Sequence, residues 1–184
     1  MNKTLLAGLL LLISPLSATA STLPKVDAPS SSLSLGSAPA LGLDIALGTQ
    51  STLGASFAAP FYYGSNFGIT RYDVRYVHRF VNQENFSVGG IVGVYGDIDF
   101  FRNSGLPLSG LGLELGIAIA YRFTDQLTGR VNIVPGIGFL QSNGGFGLFP
   151  PAGGLELAWR FSPNLEGSLG FNGNGDIAGL RLIF

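Results

Sequence analysis

The chain has 184 residues, a formal net charge of −1, only 11% charged residues, 28 glycines and no cysteine. Near-neutral charge argues against a nucleic-acid partner, and the lack of thiols excludes a disulfide framework, a cysteine nucleophile and a thiolate metal site. Soluble domains carry about 25% charged residues, and no segment after the leader approaches the roughly 18 apolar residues of a helical span.

The first residues, "MNKTLLAGLLLLISPLSATAS", place Lys3 ahead of an apolar run and an Ala18-Thr19-Ala20 cleavage pattern behind it. Residues 1–20 therefore read as a secretory signal peptide, too short and wrongly flanked for a membrane helix. Residues 21–29, "STLPKVDAP", read as a linker. Residues 30–184 read as one β-barrel domain.

From Leu41 onward the chain repeats short runs of period-two alternation, the mark of strands whose faces meet different surroundings. The clearest runs cover 41–48, 53–61, 69–80, 86–98, 111–123, 127–139, 154–161, 165–172 and 178–184. In "GLGLELGIAIAYRF", for example, Leu111, Leu113, Leu115, Ile117, Ile119, Tyr121 and Phe123 share one face. Gly112, Glu114, Gly116, Ala118, Ala120 and Arg122 share the other.

Sorted this way, every charged strand residue falls on the non-greasy face. These are Asp44, Arg71, Asp73, Arg75, Arg79, Asp97, Glu114, Arg122, Arg130, Glu156, Arg160, Glu166 and Arg181, seven arginines against six acids. Glycine, alanine and serine dominate the rest of that face, and lysine is absent from it. Small residues and planar guanidinium groups suit a crowded, carboxylate-paired interior better than a solvated exterior. The expectation is an all-β, closed antiparallel transmembrane barrel whose lumen is filled by an Arg–carboxylate network. Replacing Glu114 by Leu is then expected to destabilise it by stranding an arginine.

The turns "RFVNQENF" (79–86), "RFTDQL" (122–127) and "RFSPNL" (160–165) share a plan: inward Arg, outward Phe, tight polar turn, outward apolar residue. Short turns mark the periplasmic end of such barrels and longer loops the outer end. "LGTQSTL" (47–53) resembles the same hairpin. The strand count is eight if 41–61 is one long strand. It is ten if "SSSLSLG" (30–36) is a first strand, which the likeness of "LGLDIALG" to "LGLELGIA" favours.

The chain ends in "LRLIF", with Leu180, Leu182 and Phe184 on one face. This resembles the C-terminal assembly signal of small bacterial outer-membrane β-barrel proteins, although Asp176 stands where that family usually has an apolar residue. The resemblance implies the bacterial outer membrane as location, with membrane lipids and the barrel assembly machinery as partners. It also brings known activities into view: anchoring, adhesion, lipid A modification and proteolysis.

The enzymes of that class act with His plus Ser, or with Asp plus a His–Asp pair. The single histidine, His78, shares parity with Tyr76 and Phe80 and reads as part of an interfacial aromatic belt rather than a general base. No catalytic, cofactor or metal site is therefore expected. "NGNGD" (172–176) lacks the acidic spacing of a calcium loop and reads as a tight surface turn. Phe100, Phe101, Leu106, Leu108, Phe146, Phe149, Pro150 and Pro151 form either an outer girdle with a loop folded over the mouth or a surface for an extracellular partner. The leading expectation is a non-enzymatic barrel serving envelope integrity or partner binding. A narrow passive solute channel is the alternative, and a lipid-modifying enzyme ranks third.

Overall fold

The computed structural model describes residues 23–59, 69–99, 108–139, 146–147 and 150–184. The leader read at 1–20 lies outside them. So do Phe100, Phe101, Leu106 and Phe149, and the side chains of Leu108 and Phe146 are likewise not described.

The described residues contain strands and turns and no helix. In chain order the strands are β1 (Ser32–Gly36), β2 (Ala40–Ala46), β3 (Ser51–Ala58), β4 (Ile69–Asn82), β5 (Phe86–Asp99) and β6 (Leu108–Arg122). They continue with β7 (Leu127–Ile133), β8 (Gly136–Gly138), β9 (Phe146–Gly147), β10 (Gly154–Ser162), β11 (Leu165–Asn172) and β12 (Ala178–Ile183). Every pairing is antiparallel, and β12 closes the sheet on β1 from Ser32↔Ile183 to Gly36↔Gly179. β7 and β8 keep one register against β6, Ile117↔Ile133 and Glu114↔Gly136. They are two halves of one wall strand, interrupted at Val134–Pro135, where proline has no N–H for the ladder. β9 pairs with β8 as β10 pairs with β7, so these two also share one wall position. The result is a closed ten-stranded antiparallel barrel. Closure leaves no sheet edge exposed.

β1 is the weak first strand expected from "SSSLSLG", and 41–61 divides into β2 and β3 at a turn where Gly48 adopts φ +92°. That left-handed conformation is open to glycine at no steric cost. The Arg-Phe turns have a local cause that parity alone hides. The β4–β5 register passes from Arg79↔Gly89 to Val81↔Val88, and the β10–β11 register from Arg160↔Glu166 to Ser162↔Leu165. Phe80 and Phe161 are thus the extra residues of β-bulges, which leave one residue unpaired and sharpen the local twist.

Polarity is inverted relative to a water-soluble barrel. Leu113, Leu115 and Ile117 are exposed, Leu115 to 69%, while Glu114 between them is fully buried. Leu43, Phe57, Val74, Val131, Leu157, Leu169 and Leu182 repeat the pattern around the wall. Phe80, Phe123 and Phe161 stand exposed where strands meet the short turns, and Phe184 stands exposed just after β12. The centre holds the charges, together with a small apolar cluster of Val26, Val77, Ile91, Ala118, Ala120, Val134 and Ala152.

Candidate functional site: the charged lumen and its plug

The segment ahead of β1 does not run outside the barrel as a linker would. From Leu23 to Asp27 it lies in the lumen, with Leu23, Lys25 and Val26 buried. Val26 packs on the inward face of Gly89, where a Cβ would meet Val26 Cγ2 at 2.6 Å. The wall holds the segment by its backbone as well. Asn132 Nδ2 donates to Pro24 O (3.1 Å), Arg79 Nη1 to Asp27 O (2.8 Å), and Arg181 Nη2 to Leu23 O. The lumen leaves room for this plug because its wall face is largely glycine and alanine.

Around the plug lies the first charge cluster. The Arg130 fork donates to Asp27 (Nε–Oδ1 2.7 Å, Nη2–Oδ2 2.9 Å), to Glu156 (Nη1, 2.6 Å) and to Glu166 (Nη1, 2.8 Å; Nη2, 2.9 Å). Arg181 Nη1 lies 2.8 Å from Glu166 and 3.7 Å from Glu156. Lys25 Nζ donates to Ser30 Oγ at 2.9 Å. Three cations therefore face three carboxylates, as buried charges require.

The second cluster lies toward the other end. Arg75 pairs with Asp44 (3.1 Å) and with Asp73, and Ser56 Oγ donates to Asp73. Arg71 pairs with Asp97 (3.3 Å) and donates to Gly173 O. Here "NGNGD" enters the lumen, because Asn174 and Asp176 are fully buried. Asn174 Nδ2 donates to Ser56 Oγ (3.2 Å), Asn172 Nδ2 to Asp176 Oδ2 (2.9 Å), and the Ala38 amide to Asp176 Oδ1 (3.0 Å). The turn read at the surface is instead an inward stopper, with side-chain hydrogen bonds replacing water. Pro150 and Pro151 are also buried, as suits the loop folded over the mouth rather than an exposed partner surface.

Four of the thirteen inward charges join neither cluster. Glu114 sits near Asp73 and Arg75 and is approached by the backbone of Ala152, with no side-chain hydrogen bond or ion pair among the described residues. Arg79, Arg122 and Arg160 lie at the turn end, around an open cavity of ≈ 410 Å³. Arg79 donates to Asp27 O and to Thr49 O (2.7 Å), and Arg122 to Glu84 O.

His78 is exposed beside Tyr76, with ring centroids 6.3 Å apart, and its Nδ1 lies 2.9 Å from Ser51 Oγ. Among the described residues no group of three or more His, Asp or Glu side chains is arranged to hold a metal ion. Sequence reasoning missed the plug because Pro and Ser around 21–29 read as a linker. The excess of seven inward arginines over six acids was no pointer to it, because the plug brings in Lys25 as well as Asp27. No family model and no curated protein sequence matches this chain.

Proposed function

We propose that the protein is a closed, non-enzymatic barrel of the bacterial outer membrane, with its short turns toward the periplasm and a structural role in the envelope. One observation carries this reading: large apolar side chains are exposed around the whole wall while the strand charges are turned inward. In water such an exterior would drive association, whereas in lipid it is the required one, since the closed ladder satisfies the backbone internally. Leu180, Leu182 and Phe184, all exposed on β12 and its end, suit recognition by the assembly machinery. A loop-borne partner-binding role fits the same architecture.

A narrow passive channel has weaker support, because residues 23–27 and 172–176 occupy the lumen from opposite ends. Recovery in the outer-membrane fraction, with a gel mobility that changes on boiling, is the expected result. Recovery as a soluble protein whose mobility ignores heating would overturn the reading. Planar-bilayer recordings without steady openings would support the closed form over the channel.

A further inference from the structure

The turn-end mouth gathers three cations that no acid neutralises. Arg79, Arg122 and Arg160 line its cavity, and none forms an ion pair among the described residues, whereas Arg71, Arg75, Arg130 and Arg181 all do. Arg79 and Arg122 donate to backbone carbonyls, which satisfy N–H groups but cancel no charge. The Arg160 guanidinium has no hydrogen-bond partner among the described residues.

Four acids also line this mouth. Asp27 and Glu166 are already held by Arg130, and Glu166 also by Arg181, so neither offsets the three mouth arginines. Glu84 and Asp125 belong to the turns rather than the wall, and neither makes an ion pair with an arginine here. Positive charge thus lies on the wall side of the cavity and negative charge at its rim. Asn85 and Gln126 add neutral donors.

We propose that this mouth is a binding site for an oxyanionic group, phosphate or carboxylate, that enters head-first past the turns and is gripped by the Arg122 and Arg160 forks. Planar guanidinium groups match both oxyanions bidentately. Arg160 is half-buried, which strengthens its attraction relative to open water, while Arg122 reaches the same mouth from an exposed position. The site depends only on the geometry of the mouth, so its test is independent of what surrounds the barrel.

The test titrates inorganic phosphate, and acetate in parallel, into the purified folded protein by calorimetry. Saturable one-site binding is expected. R160Q should weaken it by about tenfold, the scale of one charge-assisted hydrogen bond, and R122Q/R160Q should abolish it. E84Q/D125N, which removes the rim acids, should tighten it. Phosphate bound in preference to acetate points to a phosphate-bearing ligand, and the reverse order to a carboxylate. No saturable binding of either anion, or unchanged binding in a folded R122Q/R160Q protein, would overturn the proposal. If that double variant does not fold, R160K replaces it, keeping the charge but losing the fork. A tenfold loss then supports the proposal and unchanged binding refutes it.

Discussion

Asp27 meets Arg130 with both carboxylate oxygens, Oδ1 2.7 Å from Nε and Oδ2 2.9 Å from Nη2. This fork ties the segment ahead of β1 to β7 in the wall. Arg130 keeps Glu156 and Glu166 if Asp27 is removed, so Asp27→Ala strands no buried cation. We expect the barrel to survive and lose about 1–3 kcal/mol, the usual worth of charged hydrogen bonds. The larger effect should be local: Leu23–Ala28 should become cleavable by protease in the folded variant. A segment as protected as in wild type would show that the plug is held by other contacts.

Glu114 behaves differently from the partner expected for an arginine. Glu114 and Arg122 share a face of β6, but eight residues of strand separate them by about 26 Å at roughly 3.3 Å per residue. Arg75 already has Asp44 and Asp73. With no ion pair and only the backbone of Ala152 close to its carboxylate among the described residues, a charged Glu114 bears a desolvation cost that its amide would not. Glu114→Gln should leave the urea midpoint unchanged or raise stability by up to about 2 kcal/mol. Asp73→Asn, which removes a charge bonded to Arg75 and Ser56, should lower it. A clear loss in the Gln variant would mean that the carboxylate has a partner after all.

These two sites show what the sequence could reveal. Period-two alternation assigns a face, and burial follows it at the charges in the middle of the barrel, while Arg71 and Asp97 toward the loops and Arg79 and Arg160 at the turns are half-buried and Arg122 is exposed. The four tight turns and the closing strand "LRLI" are equally legible, because each is local in sequence. Height along the barrel axis is not local. It depends on strand tilt and on bulges such as those at Phe80 and Phe161, so parity could not say that Arg130 collects three carboxylates while Arg160 has none. The plug was hidden for a related reason. Its contacts with the wall join residues 52 to 158 positions apart, and so short a stretch carries no period that betrays burial.

Inward glycines test how tightly the second cluster is fitted. A Cβ on Gly54 would meet Asp44 Oδ1 and lie 3.2 Å from Arg75 Nε. Gly54→Ala should therefore push the Asp44 carboxylate off Arg75 and cost about 1–3 kcal/mol, the range for overpacking. Asp44→Ala vacates that space, so the double variant should lose less than the sum of the two single changes. Strict additivity in denaturant melts would contradict the contact.

Lys25 gives the plug a pH dependence. Burial, then repulsion from Arg181 and Arg130, lowers its ammonium from 10.5 to about 8, despite Glu166 and Asp27 nearby. An undocked Lys25 holds its proton up to the higher value. Between about pH 8 and 10.5 the released state binds more protons, so docking must strengthen as pH rises through that window. The melting temperature of wild type relative to Lys25→Met should accordingly climb from pH 7.5 to 10. A flat or falling difference would show that the ammonium is well accommodated in the lumen.

The exterior offers the sharpest test of what surrounds the barrel. Leu115 is 69% exposed and lies midway along β6, so replacing it by Lys removes no internal contact of consequence. In water an exposed substitution of this kind stays within about 0.5 kcal/mol of wild type. At the midplane of a bilayer, a lysine on the lipid face of a barrel costs about 2–4 kcal/mol. Folding into phospholipid vesicles, measured by urea titration, should show the larger penalty for Leu115→Lys. Leu47→Lys, at the strand end beside the β2–β3 turn, should show less, because a charge there can reach the interface. Equal and negligible effects at both positions would mean that the apolar belt faces something other than lipid.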